Sequence, residues 1–298
     1  MLTGVRTVLI GGDARQIEVI RKFAEMDAAV FIAGFDKLQE SFQGVTRETL
    51  STELLSGADA LILPVIGCDE EGRIGALFAD GSLKLEEEHI QAMPKHGVVY
   101  TGMAKSYLKS LCAKYGIKLV ELLERDDVAI YNSIPTAEGA LMMAIQNTDF
   151  TIHGSTCMVL GMGRTGFTMA RSLQGLGAHI KMGVRKSDHY ARAEEMGWTP
   201  FFIKDLEAEV YDIHLLFNTV PSMIVTAQIL SKIPREAVII DLASAPGGCD
   251  FRYAEKRGIK AMLAPGLPGI VAPKTAGIIM ANMLVELISE ETKSREDA

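Results

Sequence analysis

"VLGMGRTG", residues 159–166, decides how the fold is read. Its glycines, Gly161, Gly163 and Gly166, form a GxGxxG. Alone, that pattern says little. Here it ends the apolar run "TCMVLGMG" (156–163), opens the helical stretch "RTGFTMARSLQGLG" (164–177), and is followed by a second apolar run, "AHIKMGV" (178–184). Strand, glycine turn, helix and strand in that order are the context in which the motif binds a dinucleotide. Gly161 permits the tight turn, Gly163 lets the backbone approach a pyrophosphate, and Gly166 lets helix and strand pack closely. The helix N-terminus then offers N–H groups to the anion, with Arg164 and Thr165 in the same turn.

The next decision lies at the end of the following strand. NAD-binding chains place an Asp or Glu there, roughly 20 residues on, to bind the ribose hydroxyls. This chain reads "GVRKS" (183–187), with no carboxylate before Asp188. Arg185 can grip a 2′-phosphate through its planar fork, with Lys186 and Ser187 in reach. The expected cofactor is therefore NADP. "FNTVP" (217–221) ends the strand beside the nicotinamide, so Asn218, Thr219, Val220 and Pro221 complete the expected cofactor site. Asp241, in "DLASAPGG" (241–248), reads first as a satisfied structural carboxylate.

Working outward, the same alternation precedes this unit. "RTVLIGGD" (6–13), "AVFIAGF" (29–35), "ADALILPVIG" (58–67), "GVVYTGM" (97–103) and "IKLVELLE" (117–124) read as strands. Helices are expected at 14–26, 85–95 and 104–115. Alternating strands and helices imply a parallel, doubly wound sheet. "RDDVAIYNSIP" (125–135) reads as a connection stopping at Pro135, and Thr136 as the cap of a helix over 136–146. After the glycine loop come strands at 198–203, 211–221, 237–244 and 260–266, with helices between them. A last helix runs from Thr275 to about Glu290, and 291–298 reads as a frayed charged tail. The expected fold class is α/β, with two doubly wound parallel-sheet domains. The boundaries are 1–135 for a flavodoxin-like substrate domain, 136–150 for a bridging helix, 151–274 for a Rossmann NADP-binding domain, and 275–298 for a returning helix and tail.

Composition narrows the function. The chain has 298 residues, 48% hydrophobic and 23% charged, which suits a globular protein with a large core. A net charge of −8 argues against nucleic acid as a partner, because polyanions need a basic surface. No apolar run nears the ~18 residues of a membrane span, and no leader is expected, because the first strand starts almost at once, after Arg6. Cys68, Cys112, Cys157 and Cys249 are scattered without a CxxC pair, so reduced structural thiols in a cytoplasmic protein are expected, and no metal. The six histidines form no motif; His214 reads as structural, and His153 as able to reach a cleft. Met142, Met143 and Met283 are assigned to helix packing.

Domain order, bridging helix and returning helix resemble the D-2-hydroxyacid dehydrogenase architecture. The catalytic pattern of that family does not carry over. Its arginine after the strand matching 237–244 is replaced by Ser244 and Ala245, and its Pro-His before the last helix by Pro268–Gly269. Five longer segments, "GGDARQIEVIRK", "ERDDVAIYNSIPTAEGALMMAIQ", "VLGMGRTG", "DLASAPGGCDFRYAEKRGIKA" and "PGLPGIVAPKTAG", resemble the dipicolinate synthase A-subunit family from about residue 1 to about residue 290.

That resemblance implies NADP-dependent oxidation of a dihydro- or 4-hydroxytetrahydro-dipicolinate ring during sporulation, in the mother-cell cytoplasm. It also implies an oligomer and, for a partner, the flavoprotein-like B subunit. Oxidising such a ring yields an aromatic product and no alkoxide, which is compatible with the missing His and Arg. Two carboxylates on the substrate call for cations and helix N-termini. The candidates are Arg15, Asn132, Glu138 and Thr275 for binding, and Lys274, Tyr131 and Ser133 for catalysis, meeting in a cleft between the domains. Two other readings stay open: a non-catalytic NADP-binding chain supporting the B subunit, and a hydroxyacid or shikimate-type dehydrogenase.

Overall fold

The apolar runs at the centre of each sheet become strands buried on both faces, the environment of a parallel sheet covered by helices. The computed structural model describes residues 1–296 and divides into two units, Ala129–Val271 and the remainder.

Unit 1 begins β1 (Arg6–Ile10), α1 (Ala14–Glu25), β2 (Ala29–Ala33), β3 (Val45–Arg47), α2 (Thr52–Leu55) and β4 (Ala60–Ile62). It continues β5 (Arg73–Ile74), β6 (Leu83–Lys84), α3 (Glu87–Ala92), β7 (Val98–Thr101), α4 (Ser106–Tyr115) and β8 (Lys118–Glu121). The sheet order is β3-β2-β1-β4-β7-β8, all parallel, and β5–β6 is a separate antiparallel hairpin. Alternate residues feed two cores. Leu9, Ile62 and Tyr100 pack on one face, and Val8, Leu61 and Val99 on the other. The five strands expected from the sequence keep the flavodoxin-like order. The short edge strand β3 extends it to the order of a dinucleotide fold.

α5 (Asp126–Asn147) carries the chain into unit 2. There follow β9 (Thr156–Leu160), α6 (Arg164–Gly175), β10 (His179–Val184), α7 (Ser187–Glu195), β11 (Thr199–Phe202), α8 (Leu206–Glu209) and β12 (Leu215–Asn218). Then come α9 (Ala227–Leu230), β13 (Val238–Asp241), α10 (Phe251–Arg257), β14 (Lys260–Leu263) and α11 (Leu267–Val271). The order is β11-β10-β9-β12-β13-β14, again parallel. α12 (Pro273–Glu296) returns to unit 1, where its Met280, Ala281, Met283, Leu284 and Ile288 join Val19, Ile20 and Phe23 of α1 in one core.

Three expectations need correction. Residues 125–135 are not a connection, because α5 starts at Asp126 and runs through a buried Pro135. Asp126 and Asp127 suit its N-terminus. Pro135 removes only the bond to Tyr131. Thr136 caps nothing; its Oγ1 donates back to the Asn132 carbonyl at 2.8 Å. Second, the expected bridging helix belongs to the unit 2 core, where Ala137, Ala140 and Ala144 pack with Cys157 and Val159. A Cβ on Gly139 would lie 2.9 Å from Leu267 Cβ, so the glycine lets α11 approach. The division therefore falls after Val128 and Val271, not at 135 and 274.

Third, 291–296 is helix rather than frayed tail. Glu291 pairs with Lys118, Thr292 Oγ1 donates to the Ile288 carbonyl, and Arg295 reaches Asp59 at 3.2 Å. Asp297 and Ala298 lie outside the described residues. The α12 start moves from Thr275 to Pro273, and "LPGIV" inside the expected loop forms α11. All four cysteines are buried. Burial pushes Cys68 and Cys157 up to about 11, and Cys112 and Cys249 up to about 12. These thiols stay protonated and unreactive near neutral pH. Met142 is 37% exposed, whereas Met283 is buried.

Candidate functional site: a glycine-loop nucleotide site

The glycine loop of unit 2 joins β9 to α6. Gly161 has φ +95° and lies against the next strand, so a Cβ there would sit 2.7 Å from Thr219 Oγ1. Gly166 allows no side chain: its Cβ would fall 1.8 Å from the Gly161 carbonyl oxygen. Gly163 differs. It is the extended N-cap of α6, and a Cβ would meet nothing within 4 Å. Gly161 and Gly166 close the turn, and Gly163 leaves one side open to a ligand. No side chain caps α6, so its first N–H groups remain for an anion. Arg164 is exposed in that first turn, and Thr165 half-buried.

Arg185 and Lys186 follow β10 and are exposed. Neither side chain forms an ion pair or hydrogen bond with another described residue. Lys186 is the N-cap of α7 without a side-chain cap bond, and Ser187 is the first helical residue. Two unpaired cations thus stand beside a helix start. Of the residues at the end of β12, Asn218 departs from expectation. Asn218 is fully buried and its amide is spent internally, on Asp241 (2.9 Å) and on Val220 (3.0 and 3.1 Å). Its side chain is withdrawn from ligand binding. Thr219 Oγ1 donates to the Leu160 carbonyl at 2.8 Å, locking β12 to β9. Val220 is buried, and Pro221 exposed.

Unit 1 has a second strand–glycine–helix opening, but its anion-binding capacity is already used. Asp13 caps α1 by accepting the Arg15 N–H at 3.0 Å. Its carboxylate also holds the Arg15 guanidinium at 2.6–3.2 Å. Burial raises the Asp13 pKa, but the Arg15 hydrogen bonds outweigh it and hold the carboxyl below the usual range. The Gly11 N–H goes to Ala33, and the Gly12 N–H to Gly75 of the β5–β6 hairpin. An open groove of about 650 Å³ remains beside them, lined by Gly12, Arg15, Pro64, Ile66, Arg73 and Leu77 among others. It lies where the strand order reverses between β1 and β4, the usual ligand crevice of such sheets. The sequence reading missed its walls at 64–67 and 73–77. It also missed the Asp13 cap, although Asp directly before a helix is a standard cap signal.

Tyr131, Asn132 and Ser133 sit on α5, where successive side chains point about 100° apart. They cannot converge as they would from a loop. Ser133 is 1% exposed, and its Oγ bonds the Ile130 carbonyl and Thr168 Oγ1, each at 2.6 Å. That rules it out as a catalytic hydroxyl. Tyr131 is 57% exposed, Glu138 is exposed, and Asn132 is half-buried. Lys274 and Thr275 are exposed in the first turn of α12. Gly277 of the same helix packs on α1, where a Cβ would be 2.5 Å from the Arg15 carbonyl oxygen. Unit 1 thus places Lys274 and Thr275 at the same end of the helix pair as Arg15.

His153 precedes β9, at the opposite end of the strand from the glycine loop, and covers Gly177. It is therefore not a ligand-end residue. His214 accepts the Thr156 N–H at 3.0 Å and meets the Phe150 ring. Among the described residues there is no group of three or more His, Cys, Asp or Glu able to hold a metal. No helix among them is long and apolar enough to cross a membrane.

Comparison with known proteins places the chain in a family. Residues 6–123 match the family model of the N-terminal domain of the dipicolinate synthase A-subunit. The dipicolinate synthase A-subunit of Bacillus subtilis (strain 168) is 50% identical over 290 residues, covering 97% of this chain and 98% of the relative. The crystal structure of the dipicolinate synthase A-subunit from Bacillus halodurans superposes with a TM-score of 0.95 at 52% identity, covering 97% of this chain and 99% of that one. D-lactate dehydrogenase from Escherichia coli shares the fold alone, with a TM-score of 0.60 at 14% identity, covering 97% of this chain and 98% of that one. The chain belongs to the dipicolinate synthase A-subunit family.

Proposed function

We propose that this chain is the NADP-dependent oxidoreductase component that completes dipicolinate synthesis, oxidising a dihydro- or 4-hydroxytetrahydro-dipicolinate ring. The observation that carries it is the pairing of an open glycine loop at Gly163 with two unpaired cations, Arg185 and Lys186, at the end of the next strand. Gly161, Gly163, Arg164, Thr165 and Gly166 would hold the pyrophosphate, and Arg185, Lys186 and Ser187 the 2′-phosphate. Thr219, Val220 and Pro221 would line the other nucleotide. Bound NADP supplies the hydride acceptor.

On unit 1, Lys274 and Thr275 at the start of α12 would bind a substrate carboxylate. Arg15 joins them with its charge already shared with Asp13. On unit 2, Tyr131 is the exposed hydroxyl left for proton handling, and Asn132 and Glu138 for polar contact. The relatives carry the name of one component of a synthase. By extension this chain works with a flavoprotein-like B subunit, in the mother-cell cytoplasm of a sporulating bacterium. The removal of Ser133 from the catalytic list favours a second reading, in which the chain binds NADP without performing chemistry.

The test combines both components, NADP and freshly made ring substrate carrying deuterium at the ring carbon. NADPH formation with deuterium in the nicotinamide is expected. NADP binding without label transfer would establish the second reading instead.

A further inference from the structure

One buried carboxylate ties together the two loops that follow β12 and β13. Asp241 ends β13 and lies in register with Asn218, which ends β12. Both are 0% exposed. Asp241 Oδ1 accepts from Asn218 Nδ2 at 2.9 Å and from the Ala243 N–H at 3.0 Å. Oδ2 accepts from the Gly248 N–H at 2.7 Å. Asn218 Oδ1 passes the tie on to the Val220 N–H at 3.1 Å. Every donor to Asp241 is neutral, and no Lys, Arg or His pairs with it among the described residues. Its charge is stabilised by dipoles but not cancelled, an expensive arrangement for a buried group.

The location gives that charge something to act on. In the order β11-β10-β9-β12-β13-β14, the glycine loop follows β9 and the cations follow β10. A dinucleotide spanning the switch point therefore lays its second nucleotide over the ends of β12 and β13. Oxidised nicotinamide is a cation and reduced nicotinamide is neutral. A fixed anion below the site favours the former, and screening is weak in a buried setting.

We infer that Asp241 is a specificity-determining charge that makes this site prefer NADP⁺ to NADPH. The inference rests on the NADP reading above. It suits an oxidation, because the oxidised cofactor is taken up and the reduced one released.

The test measures equilibrium binding of NADP⁺ and NADPH separately. The wild-type protein is expected to bind NADP⁺ more tightly, by on the order of tenfold. Asp241→Asn should lose about that factor for NADP⁺ while NADPH changes less than about twofold. Gly248→Ala disturbs the same loop with the charge intact, because its Cβ would meet Asn218 Nδ2 and two carbonyl oxygens at 2.6 Å. It should weaken both forms together. Equal losses for both forms in Asp241→Asn would overturn the inference and leave Asp241 as a loop tie. Equal wild-type affinities would overturn it even if the variant does not fold. A wild-type protein that binds neither form would instead remove the NADP reading itself.

Discussion

Gly166 shows how one residue carries a site. With the Gly161 carbonyl oxygen 1.8 Å from where its Cβ would be, no other amino acid keeps this turn. The sequence pattern alone picked out all three glycines, because their spacing between a strand and a helix is a property of neighbouring residues. Arg185 and Lys186 were legible for a related reason: their place at the end of a strand follows from counting along the chain. Replacing both with alanine should weaken NADP binding by roughly 30-fold or more and leave NAD within about twofold, as read by titration calorimetry, since only the 2′-phosphate is lost as a partner. Ser133 was misread, because burial depends on which face of α5 packs inward. Ser133→Ala should lower stability by about 1 kcal/mol in urea unfolding, from its lost hydrogen bonds to Ile130 and Thr168, while turnover stays within about twofold. A large loss of turnover at wild-type stability would restore Ser133 to the site.

Elements were legible where periodicity was strong and failed where breakers outweighed packing. Pro135 suggested a stop, yet α5 runs 22 residues through it. A proline costs a helix one hydrogen bond and some steric fit, and the buried alanines on either side of Gly139 supply more packing than that. β3 and α2, of three and four residues, are too short to show a period. At the other end, the charged stretch from Glu291 looked solvated but is anchored. Arg295 reaches both Asp59 and the His96 carbonyl, and the Arg295 and Asp59 side chains are 29% and 24% exposed. Arg295→Ala should cost about 1 kcal/mol of unit 1 stability. Hydrogen exchange would show it as faster exchange over the last turns of α12, and unchanged rates there would refute the anchor.

At the scale of the whole molecule, two units of the same strand order differ in one property that matters for function. Unit 2 leaves the α6 N-terminus uncapped, whereas unit 1 fills the α1 N-terminus with Asp13 and closes Gly12 onto the β5–β6 hairpin. Nucleotide should therefore protect only one of them. On adding NADP, hydrogen exchange should slow at 161–166, 185–187 and 219–221 and stay constant at 11–16; protection at 11–16 would show a second nucleotide site. The fold class, the tandem units and the glycine loop followed from sequence alone, because apolar runs, helical periods and glycine spacing are properties of neighbouring residues. The sequence did not reveal that Ser133 faces α6, that Asn218 serves Asp241, or that a hairpin forms a groove wall. Each depends on which groups from distant segments arrive within hydrogen-bonding distance, and only the tertiary structure brings them there.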